Sequence, residues 1–365
     1  MNKKITAVLL VSIFLTSFGA VLAADGDIIW EKIGPVGYGY GVATDSYNNV
    51  IVTGNGGTVK YSPNGNVLWF NVSLVGNGIA VDSKGNIIIT GTAGTTMKYD
   101  TNGNQLWPSA IAFGGRGVAV DSNNNIIVTG DSNIQKYDTN GNQLWPSAIA
   151  FGGTARDVAV DSKNNVIVVG TSSNNYFINK YDPNGNSLWN KNIDINPSQT
   201  DQGYGVAVDS FDNIIFTGWV YDFLDPSIQY ASCTIKFTST GAEIWRIYDN
   251  TGDRWSYKVA VDSYNNIILT GGKKDPSLYY QYLTVKYDSN GKKIWEKAVD
   301  YSNGYDDSYD VAVDSQNNIV VTGYVYNGSN YDYYTIKYQG TPPRSKSPLP
   351  IAKILEILKG NQNKE

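Results

Sequence analysis

One pattern recurs seven times along the 365-residue chain: an apolar stretch, Asp-Ser, a short Asn-rich turn and a second apolar stretch ending in Gly. It reads GVATDSYNNVIVTG from Gly41, GIAVDSKGNIIITG from Gly78, GVAVDSNNNIIVTG from Gly117 and DVAVDSKNNVIVVG from Asp157. It returns as GVAVDSFDNIIFTG from Gly205, KVAVDSYNNIILTG from Lys258 and DVAVDSQNNIVVTG from Asp310. The marker residues Asp45, Asp82, Asp121, Asp161, Asp209, Asp262 and Asp314 lie 37, 39, 40, 48, 53 and 52 residues apart. A strand-rich period of roughly 40–50 residues predicts a propeller, because each unit can bury its faces only against its neighbours.

The sixth repeat shows the expected unit. Residues 258–263 form strand A, Tyr264-Asn265-Asn266 turns the chain, and residues 267–271 form strand B. Residues 272–282 read as a loop, 283–287 as strand C, and 292–299 as strand D around Trp295. Asn, Asp and Gly at both tight turns tolerate left-handed backbone and suit hairpins. Strand B is continuously apolar (Ile267, Ile268, Leu269), which fits a sheet covered on both faces. Strand A alternates valine with Ala260, leaving room where sheets crowd near an axis.

Trp69, Trp107, Trp145, Trp189, Trp245 and Trp295 each follow a turn glycine by four residues, which marks a repeated packing element. The seventh repeat lacks this strand. Its counterpart, Asp27-Ile28-Ile29-Trp30-Glu31-Lys32, sits near the other end of the chain and matches the strand around Trp295. The predicted fold is therefore all-β: a seven-bladed β-propeller of four-stranded antiparallel blades, closed by the N-terminal strand around Trp30. Closure hides two sheet edges that would otherwise invite association. The expected boundaries are a signal peptide at 1–23, the propeller at 24–340, and a Pro-rich linker with a short amphipathic helix at 341–365.

The repeat resembles the SBBP-type propeller repeat, whose units read approximately VAVDS-x-GN-I-x-VTG, over residues 25 to about 340. That resemblance implies an exported or surface protein and implies little about activity. The Gly-x-x-x-Trp element is similar to the docking tryptophan of quinoprotein dehydrogenase propellers, but no cofactor site of that kind is present in the sequence. The short repeats also resemble a lyase propeller family whose mechanism relies on histidine. This chain has no histidine. Residues 98–115 and 136–153 are identical, which makes repeats two and three poor hosts for a unique active centre and places Pro108 and Pro146 in outer strands.

The absence of histidine removes the commonest general base and metal ligand. The single Cys233 reads as a buried, inert thiol. A formal net charge of −5 with scattered Lys and Arg argues against nucleic acid as a partner. Lys3 and Lys4, an apolar stretch from Ile5 to Phe18 and Val21-Leu22-Ala23 read as an export signal. No later stretch is apolar enough to span a membrane, so a secreted or cell-surface monomer is expected.

Function is sought where the repeat is broken. The residue two before each strand-A valine or isoleucine is Tyr40, Asn77, Arg116, Arg156, Tyr204, Tyr257 and Tyr309 in turn. These residues should rim the mouth of the axial channel, four tyrosines from blades five, six, seven and one facing two arginines. The B–C connections of the last three repeats are aromatic: Trp219, Tyr221, Phe223 and Tyr230, then Tyr279, Tyr280 and Tyr282, then Tyr324, Tyr326, Tyr331, Tyr333 and Tyr334. Tyr40, Arg116, Arg156, Tyr204, Tyr257, Tyr309, Trp219, Tyr279 and Tyr326 are the candidate ligand-binding residues. Packing between loops is the competing role for these aromatics.

The seven strand-end aspartates read as capped turns rather than a metal ring. The Asp-x-Asn-Gly-Asn turns from Asp100, Asp138 and Asp182 read as hairpins rather than calcium loops. No cofactor, metal or catalytic residue is assigned. The leading reading is a non-catalytic binding or scaffold propeller that recognises a polysaccharide or protein segment. The alternatives are a carbohydrate-active hydrolase or lyase working through loop carboxylates such as Asp222 and Asp306, and a purely structural cell-surface component.

Overall fold

The computed structural model describes residues 23–341, apart from 92, 93, 198, 223, 226, 278, 302 and 303. Apart from residues 23 and 341, the expected signal peptide and the C-terminal linker and helix fall outside the described residues, as does Phe223.

Seven antiparallel sheets follow one another along the chain as blades of a propeller. Blade six is typical, with strands Arg254–Val261, Ile267–Lys274, Tyr280–Tyr287 and Lys293–Val299. The seventh blade is Asp307–Val313, Ile319–Tyr326 and Tyr331–Tyr338, completed by Ile28–Val36 from the start of the described chain. Trp30 lies opposite Lys337 in that pairing. The ring is closed as the matching Trp-containing strands predict.

Two expectations are corrected. The long B–C loops of blades five to seven are largely strand: in blade six both strands run beyond the expected ends, leaving residues 275–279 between them. The alternation of these extended strands sends some aromatics inward, where Tyr282, Tyr333 and Tyr334 are buried. Tyr333 Oη accepts the Gly56 amide at 2.8 Å and donates to the Gly57 carbonyl at 3.0 Å, joining blade seven to blade one. Second, the outer edges of the two duplicated segments are barely strands. Blade two has three strands and isolated bridges, and blade three ends in the two-residue Ile149–Ala150. Pro108 and Pro146, without amide donors, interrupt those edges.

The tryptophans join each blade to the next. The indole N–H of Trp69 donates to the Thr101 carbonyl at 3.2 Å, Trp107 to Thr139 at 3.2 Å and Trp145 to Pro183 at 3.1 Å. Trp189 and Trp245 reach Ser239 and Ser289 in the same way, and Trp30 reaches Pro63 at 2.9 Å. Trp295 instead donates to the Asp25 carboxylate at 3.0 Å. Each ring rests on the turn of the following blade. At Gly103 the φ of +82° calls for glycine, while an added Cβ would lie 3.5 Å from the Trp69 ring, an ordinary contact.

A second set of contacts runs through the blade interiors. Each strand-end aspartate accepts turn amides and an Asn side chain. Asp161, for example, takes Lys163 N, Asn165 N and Asn165 Nδ2 at 3.0, 2.9 and 2.8 Å. Each is also paired with a strand-C lysine: Lys60–Asp45, Lys98–Asp82, Lys136–Asp121, Lys180–Asp161, Lys236–Asp209, Lys286–Asp262 and Lys337–Asp314. The two side chains of the Lys180–Asp161 pair are 3% and 1% exposed at 2.8 Å. Burial alone pushes these carboxyls up. The lysine and the Asn and amide donors outweigh it, holding Asp45, Asp82, Asp121, Asp161 and Asp209 below the usual range. The capped-turn role is therefore joined by an ion pair, and each aspartate is already neutralised.

The left-handed turn residue adds a third joint. Asn48, Asn124, Asn164, Asp212, Asn265 and Asn317 all have φ of 61–66°. Their side chains accept the Asp-Ser serine amide of the preceding blade, as in Asn164 Oδ1 with Ser122 N at 3.0 Å and Asn48 with Ser315 N at 3.0 Å. In blade two Gly85 occupies this position and has no side chain to offer.

Replacing Lys180 with Met should leave Asp161 as an uncompensated buried charge. A loss of about 3–5 kcal/mol is expected in urea unfolding at neutral pH. It should shrink as pH falls through the carboxylate range, since the pair's contribution exists only while Asp161 is ionised.

Candidate functional site

The candidate site is generated by a break in strand regularity. In blades one, four, five, six and seven, the A–B ladder slips by one residue two positions before the strand-A valine. The extra residues are Tyr40, Arg156, Tyr204, Tyr257 and Tyr309. A bulge re-aims the side chain it inserts, and here every bulged residue lines one cavity at an end of the propeller axis. Asn77 and Arg116 enter it from just before strands Gly78–Val81 and Val118–Val120. Asn55 and Lys258 complete the lining of a space of about 550 Å³.

Six of the nine candidate residues, Tyr40, Arg116, Arg156, Tyr204, Tyr257 and Tyr309, thus share this cavity. The tyrosines form a continuous arc. Ring centroids lie 5.1 Å apart for Tyr204–Tyr257, 5.4 Å for Tyr257–Tyr309 and 5.6 Å for Tyr309–Tyr40. The Arg156 guanidinium stacks on the Tyr204 ring at 5.0 Å, extending the arc by a cation–π contact. Its Nε is buried and has no hydrogen-bond partner among the described residues. Arg116 is exposed. The rim combines aromatic faces with positive charge.

Trp219 lines a second cavity of about 260 Å³, which shares Tyr257 and Tyr309 with the first and adds Tyr230, Trp255, Tyr280, Tyr324 and Asp307. The two remaining candidates lie outside both cavities. Tyr279 is 38% exposed with its ring 6.3 Å from Tyr305. Tyr326 is half-buried against Tyr331, and its hydroxyl donates to the Gly328 carbonyl at 3.0 Å.

Sequence reasoning missed what lies beneath the rim. The first position of the repeat is Gly in four blades, and Asp157, Lys258 and Asp310 in the others. Lys258 Nζ meets Asp157 Oδ1 at 2.5 Å. The other Asp157 oxygen accepts Val206 N at 3.0 Å, and Asp310 accepts Val42 N at 2.8 Å. Three charges from blades four, six and seven therefore gather below the axial cavity. Burial pushes the Lys258 ammonium down, but Asp157 and Asp310 more than restore it, and the net shift is upward. Burial raises the Asp310 carboxyl to about 6 despite Lys258. The substitution of charge for glycine at a repeated position was the available signal.

The carboxylates proposed for catalysis brace loops. Asp306 is buried and accepts Tyr301 N at 2.7 Å and Tyr326 N at 2.9 Å. Asp222 accepts the amides of Leu224 and Asp225 and the Tyr248 hydroxyl. The Asp100 and Asp182 side chains likewise accept amides of their own hairpin turns. Among the described residues no three His, Cys, Asp or Glu side chains gather as a metal-binding group. Cys233 is buried, and burial pushes its thiol up to about 12.

Residues 17–211, just over half of the chain, match the model of the family described as outer membrane protein assembly factor BamB. The chain belongs to that family. No curated protein matches it. Solved structures share its fold at low identity. A streptogramin B lyase has 12% identity and a TM-score of 0.61, with 84% of this chain and 97% of that one covered. A catalytically inactive virginiamycin B lyase from Staphylococcus aureus with quinupristin has 12% identity and a TM-score of 0.60, covering 84% and 99%. BamB from Moraxella catarrhalis has 14% identity and a TM-score of 0.50, covering 84% and 100%.

Asp310 gives the site a pH signature. Its folded pKa lies above the unfolded value, so its favourable contribution is complete below about pH 4 and lost as pH rises through about 6. Asp310→Asn should match the parent protein near pH 4 and exceed it by about 1–3 kcal/mol at pH 7, read by denaturant unfolding at both pH values.

Proposed function

We propose that this protein is an exported, non-catalytic binding propeller whose axial cavity takes an acidic segment of a partner protein. The observation that carries the reading is the lining of that cavity: a four-tyrosine arc joined to Arg156 and Arg116. Tyrosine supplies rigid contact area with a hydroxyl, the profile of a recognition surface. Arg156 lines the cavity with its guanidinium held over the Tyr204 ring, which places a fixed positive charge at the rim. The family's description as an assembly factor supports a protein partner over a polysaccharide. Its outer-membrane association, with the basic-then-apolar leader, supports export. An SBBP-type repeat is the finer description of the seven units that fits both.

Catalysis of the kind named for the lyase neighbours is disfavoured. The inactive form of one of them carries a histidine-to-alanine change, and this chain contains no histidine.

Binding should be measured by titrating the chain without its leader, residues 25–365, with acidic, neutral and basic peptides and with uronate polysaccharides. Acidic peptides should bind best. Arg116→Glu, at an exposed position, should weaken them about tenfold or more without lowering the melting temperature. Tyr204→Ala should weaken them through lost contact with both peptide and Arg156. Equal binding of basic and acidic peptides, or indifference to Arg116→Glu, would sink the reading, and preference for the uronates would transfer the site to polysaccharide.

A further inference from the structure

We propose that the second cavity, on blades five to seven, is a binding site for a quaternary ammonium group, with Trp219, Tyr230, Trp255, Tyr280 and Tyr324 as its aromatic walls and Asp307 as its counter-charge. The site is distinct from the axial cavity, although Tyr257 and Tyr309 form part of both linings.

The geometry of the walls supports this. Neighbouring rings stand nearly perpendicular: 72° for Trp219–Tyr230, 85° for Tyr230–Trp255 and 76° for Trp255–Tyr280. Rings set at right angles are not stacked on one another, and all of them line the one cavity. Each face is the negative side of a quadrupole and attracts a cation, most strongly for Trp. At about 260 Å³ the space equals roughly eight or nine waters, enough for a small organic cation and far more than a metal ion needs.

The wall also holds one carboxyl. Asp307 is 3% exposed, and both its oxygens accept the Trp255 indole N–H, at 3.2 and 3.1 Å. That bond fixes the carboxyl and orients the Trp255 ring together. Burial among the rings raises the Asp307 carboxyl well above its usual range. The facing hydroxyls of Tyr257, Tyr309 and Tyr324 are raised as well, again by burial. A bound cation gives the buried Asp307 carboxyl a partner of opposite charge. A methylated ammonium suits aromatic walls better than a bare one, because it surrenders less hydration on leaving water.

The test is calorimetric titration of the same chain with choline chloride, tetramethylammonium chloride and 3,3-dimethylbutan-1-ol, the neutral isostere of choline. Phosphocholine is a further arm that separates a lipid-type headgroup from a free solute. Both cations should bind saturably, and the isostere should be at least tenfold weaker. Asp307→Asn keeps the shape and an acceptor for Trp255, and should weaken the cations tenfold or more. Trp219→Ala, at the half-buried outer wall, should weaken them roughly 3- to 30-fold, and Trp219→Phe should restore part of the loss. Thermal melts establish that each variant is folded. Equal affinity for the isostere, or unchanged cation binding in folded Asp307→Asn, would overturn the proposal, as would no saturable binding by the parent chain. Because the probes are small cations rather than acidic peptides, this outcome is independent of whether the axial cavity binds its segment.

Discussion

The structure depends on a buried aspartate–lysine pair, made once in every blade. The aspartate closes the A–B turn by accepting its amides, and the lysine reaches it from strand C. The same lysine crosses to the next blade in several repeats: Lys60 Nζ donates to Thr101 O at 2.9 Å and Lys180 Nζ to Ser239 O at 3.1 Å. One charge thus fixes a turn, ties three strands and grips a neighbour. A buried pair brings little net stability over an apolar substitute, but removing one partner is severe. Such a pair acts as a register device, since a one-residue slip would leave both charges unpaired in the interior.

Most of the scaffold is legible in the sequence because it is written repeatedly. The Asp-Ser-x-Asn turn, the apolar B strand and the Gly-x-x-x-Trp element recur with chemistry that admits one local structure. The matching strands around Trp30 and Trp295 fix where the ring closes. The lysine partner was equally available, as the Lys of Lys60-Tyr61, Lys180-Tyr181 and Lys337-Tyr338. Its role is not a local property, however: pairing Lys180 with Asp161 depends on strand register across the blade. The same limit explains the misread loops. Tyr280 and Tyr282 lack an apolar alternation that marks a strand, and only pairing across from Lys274 and Gly272 makes them one.

The candidate site shows a different division. Rim positions follow from the repeat, because a residue at a fixed offset in each unit occupies equivalent places around the axis. Blade order then sets the tyrosine arc against the arginines. Bulges are not visible in the sequence, yet they are what turn Tyr40, Arg156, Tyr204, Tyr257 and Tyr309 toward the cavity. The charged plug of Asp157, Lys258 and Asp310 is hidden for another reason. Its members come from three blades and meet only once the ring is closed.

Ring closure has a kinetic side. The closing strand pairs Ile28–Val36 with Tyr331–Tyr338, and the Tyr334 hydroxyl to Glu31 carboxylate bond spans 303 residues. The strand that precedes all the others of the ring pairs with the one that follows them all. Six blades can form from neighbouring hairpins, each at low loop-closure cost, while the seventh waits for the whole chain. Until then both ends of the assembly present unpaired strand edges. Sequence separation thus sets the local pairings within blades apart from one non-local join. The vulnerable interval, during which chains can pair with one another instead of with themselves, is set by that single strand.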